Sequence, residues 1–172
     1  ESLLSILILL ISLNGFAQNH GNHAQGMPTQ AQIDSILNKY KTPEKHAAQF
    51  GRLIIQDDGG RMKPINTFSS ELLRKVSHND TYHGMNADQA FISMTQFPTV
   101  WFETPLIYIK KGNDSIRKII GINSEAKYAP FRAFFDDRGN YKLAPYLDEA
   151  YKAANPNQLD TDFVETDKKV NL

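Results

Sequence analysis

The apolar positions fall into a few short registers separated by turn-forming residues. In "TQAQIDSILNKY", Ile33, Ile36, Leu37 and Tyr40 recur at helical spacing, with Thr29 placed to cap the helix. Pro43 suits the first turn of a second short helix, "PEKHAAQFGRL". The pattern then changes to short β-branched runs, "RLIIQ" and "RMKPI", on either side of "DDGG". Asp-Gly and Gly-Gly tolerate positive φ, which predicts a two-residue hairpin turn, and Pro64 confines the second strand to an edge. Helical spacing resumes at Phe68, Leu72, Leu73 and Val76, with Asn66 or Thr67 as the expected cap.

Downstream, "NADQAFISMTQF" reads as a helix from Asn86 stopped by Pro98, and "PTVWFETP" as an aromatic-rich connection. "PLIYIKKGND" reads as a short strand and turn. "DSIRKIIGI" reads as a helix capped by Asp114 or Ser115 and ended by Gly121. "APFRAFFDDRGNYKLAPYLDEAYKAANPNQ" reads as helix, turn and helix, and "QLDTDFVETDKKVNL" as a closing amphipathic helix. The expected fold is mainly α, with one small β-hairpin and room for one extra strand.

The first residues break this pattern. "SLLSILILLISLNGFA", Ser2 to Ala17, carries no charge and is dominated by Leu and Ile. It is slightly short of the roughly 20 residues that span a bilayer as a helix. It fits a signal-like segment ending in Gly15-Phe16-Ala17 or the end of a transmembrane helix. Either reading anchors or directs the remainder to the extracytoplasmic, periplasmic side of a membrane. The organisation expected is therefore a hydrophobic segment over 1–17, a polar linker over 18–30 and an α-rich extracytoplasmic domain over 31–172. Opening on Glu1 and closing within a helical pattern, the chain reads as a piece of a longer polypeptide.

Composition narrows the chemistry. With 172 residues the chain can bury one ordinary core. Nineteen basic and nineteen acidic side chains cancel, which speaks against a nucleic-acid partner. Cysteine is absent, so disulfides, thiolate metal sites and a Cys nucleophile are excluded.

The sequence carries no G-x-x-x-x-G-K-[ST] or G-x-G-x-x-G spacing, so Gly59 and Gly60 read as a turn and not a phosphate loop. Asp57 and Asp58 read as a solvated turn, since neighbouring residues point apart. His20 and His23 are weak candidates for haem or metal; His46, His78 and His83 have no ligand spacing around them. No G-x-S-x-G elbow supports a serine hydrolase. Trp101, Phe102, Phe131, Phe134 and Phe135 read as core in preference to a ligand platform. Arg61, Lys63, Arg74 and Lys75 form one basic cluster, which Asp57, Asp58 and Glu71 largely offset.

"IIQDDGGRMKPINTFSSELLRKVS" resembles the "QD-GR-KP-TFA-E-LR" signature of bacterial System II cytochrome c biogenesis proteins, which export haem and attach it to apocytochrome. "NADQAFISMTQFPTVWFETPLIYIK", "DSIRKIIGI" and "KYAPFRAFF" follow in the same order. The resemblance runs from about Phe50 to Lys152 and is nearest to forms in which both membrane components are fused. It implies a parent holocytochrome c synthase that handles haem in the membrane. The family's tryptophan-rich haem motif and its paired histidines have no counterpart here, Trp101 being the only Trp. No catalytic or haem-binding residue is therefore carried over.

The resemblance implies an accessory extracytoplasmic domain, structural or docking in role. Its partners would be the haem-export machinery, the membrane and apocytochrome c. Arg61, Lys63, Asn66, Thr67, Glu71 and Arg74 are its docking candidates. The alternative is a secreted periplasmic binding or hydrolytic protein released by signal cleavage.

Overall fold

The computed structural model describes residues 28–57 and 59–172. The apolar run Ser2–Ala17, His20, His23, most of the linker and Asp58 lie outside the described residues. The fold is mainly α, as the spacing predicts. The described helices are α1 (Gln30–Lys39), α2 (Glu44–Phe50), α3 (Ile65–Ser77), α4 (Ala87–Gln96), α5 (Pro98–Phe102), α6 (Asp114–Ile120), α7 (Ala144–Lys152) and α8 (Gln158–Val170). Three two-stranded antiparallel pairs separate them: β1 (Ile54–Gln56) with β2 (Met62–Pro64), β3 (Thr81–Tyr82) with β4 (Met85–Asn86), and β5 (Pro105–Tyr108) with β6 (Tyr128–Pro130).

Capping explains where three helices begin. Thr29, Asn86 and Asn157 each accept a backbone N–H three residues on, and Gln32, Gln89 and Asp160 reach back to the cap, forming capping boxes. Helix α3 departs from expectation. It starts at Ile65, with Pro64 in the cap position and not Asn66 or Thr67. Its first N–H groups are met by the chain before the hairpin: Ile65 N donates to Leu53 O at 2.8 Å and Asn66 N to Gly51 O at 2.9 Å. Backbone carbonyls thus replace a side-chain cap. Helix α6 is preceded by Asn113, which makes no side-chain cap bond, and not capped by Asp114 or Ser115. Gly121 ends it at φ +76, as its sequence position implies.

Two other segments differ. Pro98 stops α4 but also occupies the first turn of α5, so "PTVWF" is a short helix and not a connection. The segment expected as a helix from Ala129 is strand β6 followed by a single 3-10 turn, Phe131–Phe134. Pro130 favours the extended backbone and pairs with Pro105, so β5 finds a partner the periodicity did not reveal. The "HG" turn at His83-Gly84 (φ +44 and +74) closes β3 on β4 with both central residues left-handed, as a type I′ hairpin needs. The turn of the first hairpin is longer than expected. Five residues separate the strands, and Asp57 N donates to Arg61 O at 2.9 Å across the turn, where Gly60 supplies φ +78.

The buried side chains form two adjoining clusters. One joins Ile33 and Leu37 of α1, Leu73, Tyr82, Met85, Ala90 and Trp101. The other joins Val76, Ile107, Ile109, Ile116, Ile120, Phe134, Leu143, Phe163 and Val170. Helix α3 feeds both, with Leu73 in the first and Val76 in the second; Leu106 also packs against each. The helix that follows the first hairpin is therefore a shared wall of the two cores.

A charged hairpin–helix surface

Strand alternation turns Lys63 toward helix α3 and the hairpin turn. Its Nζ lies 2.9 Å from Glu71 Oε2 and 3.1 Å from Asp57 Oδ2, with only 19% of its side chain exposed. Asp57 also accepts the backbone N–H of Arg61 at 2.9 Å, and the Arg61 guanidinium stands 3.7 Å from its other oxygen. The cluster thus locks turn, strand and helix into one unit. The Arg61 N–H, then Lys63, hold the Asp57 carboxyl below its usual range; the Lys63 ammonium lowers Glu71, and Glu71 with Asp57 raises Lys63.

Beside this cluster lies a groove of about 570 Å³ lined by Asp57, Arg61, Lys63, Phe68, Glu71, Leu72, Lys75 and Leu172. Arg61 stands well out of it, with 84% of the side chain open. The other proposed residues spread along α3. Asn66 and Thr67 sit exposed in its first turn, where the Thr67 hydroxyl donates to Asn66 Oδ1 at 3.2 Å. Arg74 is not in the Lys63 cluster: it pairs with Asp80 at 3.4 Å and donates to Ser70 O. The basic cluster expected from sequence is therefore divided, with Lys63 neutralised between two acids and Arg61 presented outward.

Asp57 has more to do than a solvated turn residue, since its side chain is only 12% exposed and bridges the turn to Lys63. Glu71, which shares Lys63 with it, lies fourteen positions away across a turn and a helix start, a distance no local spacing rule reads. Arg117 is a second residue missed. It is buried in α6 and donates to Ala126 O at 2.9 Å and Ile109 O at 3.1 Å, tying that helix to the β5–β6 arm.

The remaining candidates lie apart. His78 has φ +58 and stacks on Tyr108 at 4.3 Å; burial and Lys169 push its pKa down. His83 stacks on Tyr82 and approaches Asp34 Oδ1 at 3.2 Å, and His46 lines another groove with Tyr40 and Phe97. Among the described residues no group of three His, Cys, Asp or Glu is arranged to hold a metal ion. Among them, too, no helix is long and apolar enough to cross a membrane. Trp101 is buried with its Nε1–H donated to Ser93, and Phe134 is fully buried; Phe102, Phe131 and Phe135 instead form a half-open row of rings.

Fold and site together define an α-rich domain that presents a pre-ordered, charged hairpin–helix surface. The chain is similar to Protein NrfI of Wolinella succinogenes, at 32% identity over 148 residues, which is 83% of this chain and 16% of that protein. It thus spans about a sixth of the length of the curated relative it matches. No family model matches the sequence.

Proposed function

We propose that this chain is an accessory domain of a cytochrome c assembly protein, and that it docks a partner through the hairpin–helix surface between Gln56 and Lys75. The similarity to Protein NrfI supports cytochrome c biogenesis in the broad sense. The finer assignment, an extracytoplasmic domain of a fused System II protein that handles haem, rests on the order of the sequence motifs. The partner would be another part of the haem-export machinery or the apocytochrome.

The observation that carries the docking role is the arrangement around Lys63. Two carboxylates hold its ammonium and so fix the hairpin on α3, while Arg61 projects from the rim of an adjacent groove. A surface whose shape is set before binding loses less freedom when a partner arrives. Exposed rim charges steer encounter more than they hold the complex.

The test is charge reversal at Arg61 and Arg74 in the full-length protein, read as holocytochrome yield against protein level. The docking role predicts a lower yield at unchanged protein level. Wild-type yield from the double reversal removes it.

A further inference from the structure

The β1–β2 hairpin has two unlike faces. Ile55 and Lys63 oppose each other on the face that turns inward. Alternation puts Ile54, Gln56, Met62 and Pro64 on the other. There Ile54 is 56% and Met62 67% exposed; Leu53, in the bend before β1, is 54% exposed but out of step with Ile54. Exposed apolar side chains scattered singly are ordinary, but two on one face of a small ribbon, with a third at its foot, call for a covering surface.

Charge points to the nature of that surface. Arg52 stands exposed directly before Leu53, and Arg61 extends from the turn. The described carboxylates of the stretch, Asp57 and Glu71, are committed to Lys63 on the opposite face. The backbone adds a limit on depth. The bond from Asp57 N to Arg61 O makes Ile55 and Lys63 the next hydrogen-bonded pair, so the N–H and C=O groups of Ile54 and Gln56 point away from β2. Such groups are not tolerated in hydrocarbon, whereas water and headgroups satisfy them in the interfacial layer.

We propose that this face rests on the surface of an anionic lipid bilayer. Ile54 and Met62 would enter the interfacial layer with Leu53 at its margin, and Arg52 would meet lipid phosphates, with Arg61 at the edge between the lipid face and the groove. A lone protein partner is the weaker fit. Three side chains are few beside the roughly 20–30 residues per side of a stable interface. A shallow lipid contact needs only a few apolar groups with basic neighbours, and is reversible by itself. The inference does not depend on the cytochrome reading, and neither Arg52 nor Met62 is among the six docking candidates.

The chain has no cysteine, so Met62→Cys in the full chain takes a single environment-sensitive fluorophore. Asp148→Cys on α7, an exposed position with 78% of its side chain open, serves as the comparison. Each is mixed with vesicles of phosphatidylcholine alone or with phosphatidylglycerol, circular dichroism having confirmed the fold.

The label at 62 is expected to shift blue and brighten several-fold on the anionic vesicles, while the label at 148 keeps its aqueous spectrum. Adding Arg52→Glu is expected to weaken the response by at least roughly fivefold, the effect of one basic side chain near an anionic surface. Three results overturn the inference. One is an aqueous spectrum at 62 on vesicles, whether or not the chain sediments with them. Another is an equal shift at 148. The third is burial of the label without lipid that rises with protein concentration, which marks contact between copies of the chain.

Discussion

Replacing Gly51 by alanine tests how the chain before the hairpin is fitted to the two helices behind it. Gly51 is buried at φ −58 and ψ −18, a backbone any residue adopts, so strain of the main chain is not at issue. Space is. An added Cβ would stand 2.5 Å from Asp88 Oδ2, 3.0 Å from its Cγ and 3.1 Å from Asn66 Cβ. Neither neighbour yields easily. Asp88 Oδ1 accepts a 2.6 Å hydrogen bond from the buried Ser69 hydroxyl, and Asn66 N–H is bonded to the Gly51 carbonyl.

Overpacking of this kind costs about 1–3 kcal/mol. The lower entropy of an unfolded alanine returns about 0.4–1 kcal/mol. The expected net loss is therefore about 1–2 kcal/mol, with Tm falling about 2–4 °C for each kcal/mol. Urea unfolding followed by circular dichroism measures it. A second Gly51→Ala made in an Asp88→Ala background should cost markedly less, giving a coupling of at least about 0.5 kcal/mol. A Gly51→Ala chain as stable as the wild type, or an equal loss in both backgrounds, would refute this steric account.

Three further outcomes follow from the same contacts. Tyr141→Phe should leave stability unchanged or raise it by about 1 kcal/mol, because the hydroxyl is buried close to the Asp167 carboxylate without the geometry of a hydrogen bond; a clear loss on urea unfolding would show that the Asp167 contact is a working bond. Phe134→Ala should cost about 3–5 kcal/mol, since the ring is fully buried in the core under β5 and α6, and a loss below about 1 kcal/mol would mean that core closes over the gap. In Lys63→Met, NMR titration should show Glu71 returning close to the ordinary carboxylate range while Asp57 stays partly lowered, because Lys63 is the main cause only for Glu71 and the Arg61 N–H is the main cause for Asp57.

The pH dependence of the hairpin carries a definite sign. Asp57 and Glu71 are lowered, so their contribution is full above the ordinary carboxylate range and is lost as pH falls through their folded values. Lys63 is raised, so its contribution is full below the ordinary lysine value and is lost only as pH rises through the folded one. Protection of the Arg61 amide from exchange should therefore hold through neutral pH and fall at both extremes. Protection unchanged well below the carboxylate range would contradict that sign.

Local chemistry made much of the fold legible. Thr29 and Asn86 announce two helix starts, Gly121 announces a helix end, and the β-branched runs around "DDGG" announce the first hairpin. What escaped was set by partners distant in sequence. Helix α3 begins at Ile65 because the carbonyls of Leu53 and Gly51 meet its first N–H groups, and β6 exists because β5 supplies a neighbour.

The site was legible as a charged stretch but not as an arrangement. Sequence grouped Arg61, Lys63 and Arg74, whereas folding gives Lys63 to Asp57 and Glu71, and Arg74 to Asp80. Side-chain pairing across a turn and a helix start depends on register, which composition does not encode.

The docking claim is tested most directly by a photo-crosslinking amino acid placed at Arg61 in the full-length protein, in cells assembling cytochrome c, with Asp148 as the comparison position. The account predicts adducts from position 61 to the apocytochrome or to another part of the assembly machinery, and none from position 148. Equal labelling from both positions, or none from position 61 while holocytochrome still forms, would contradict it.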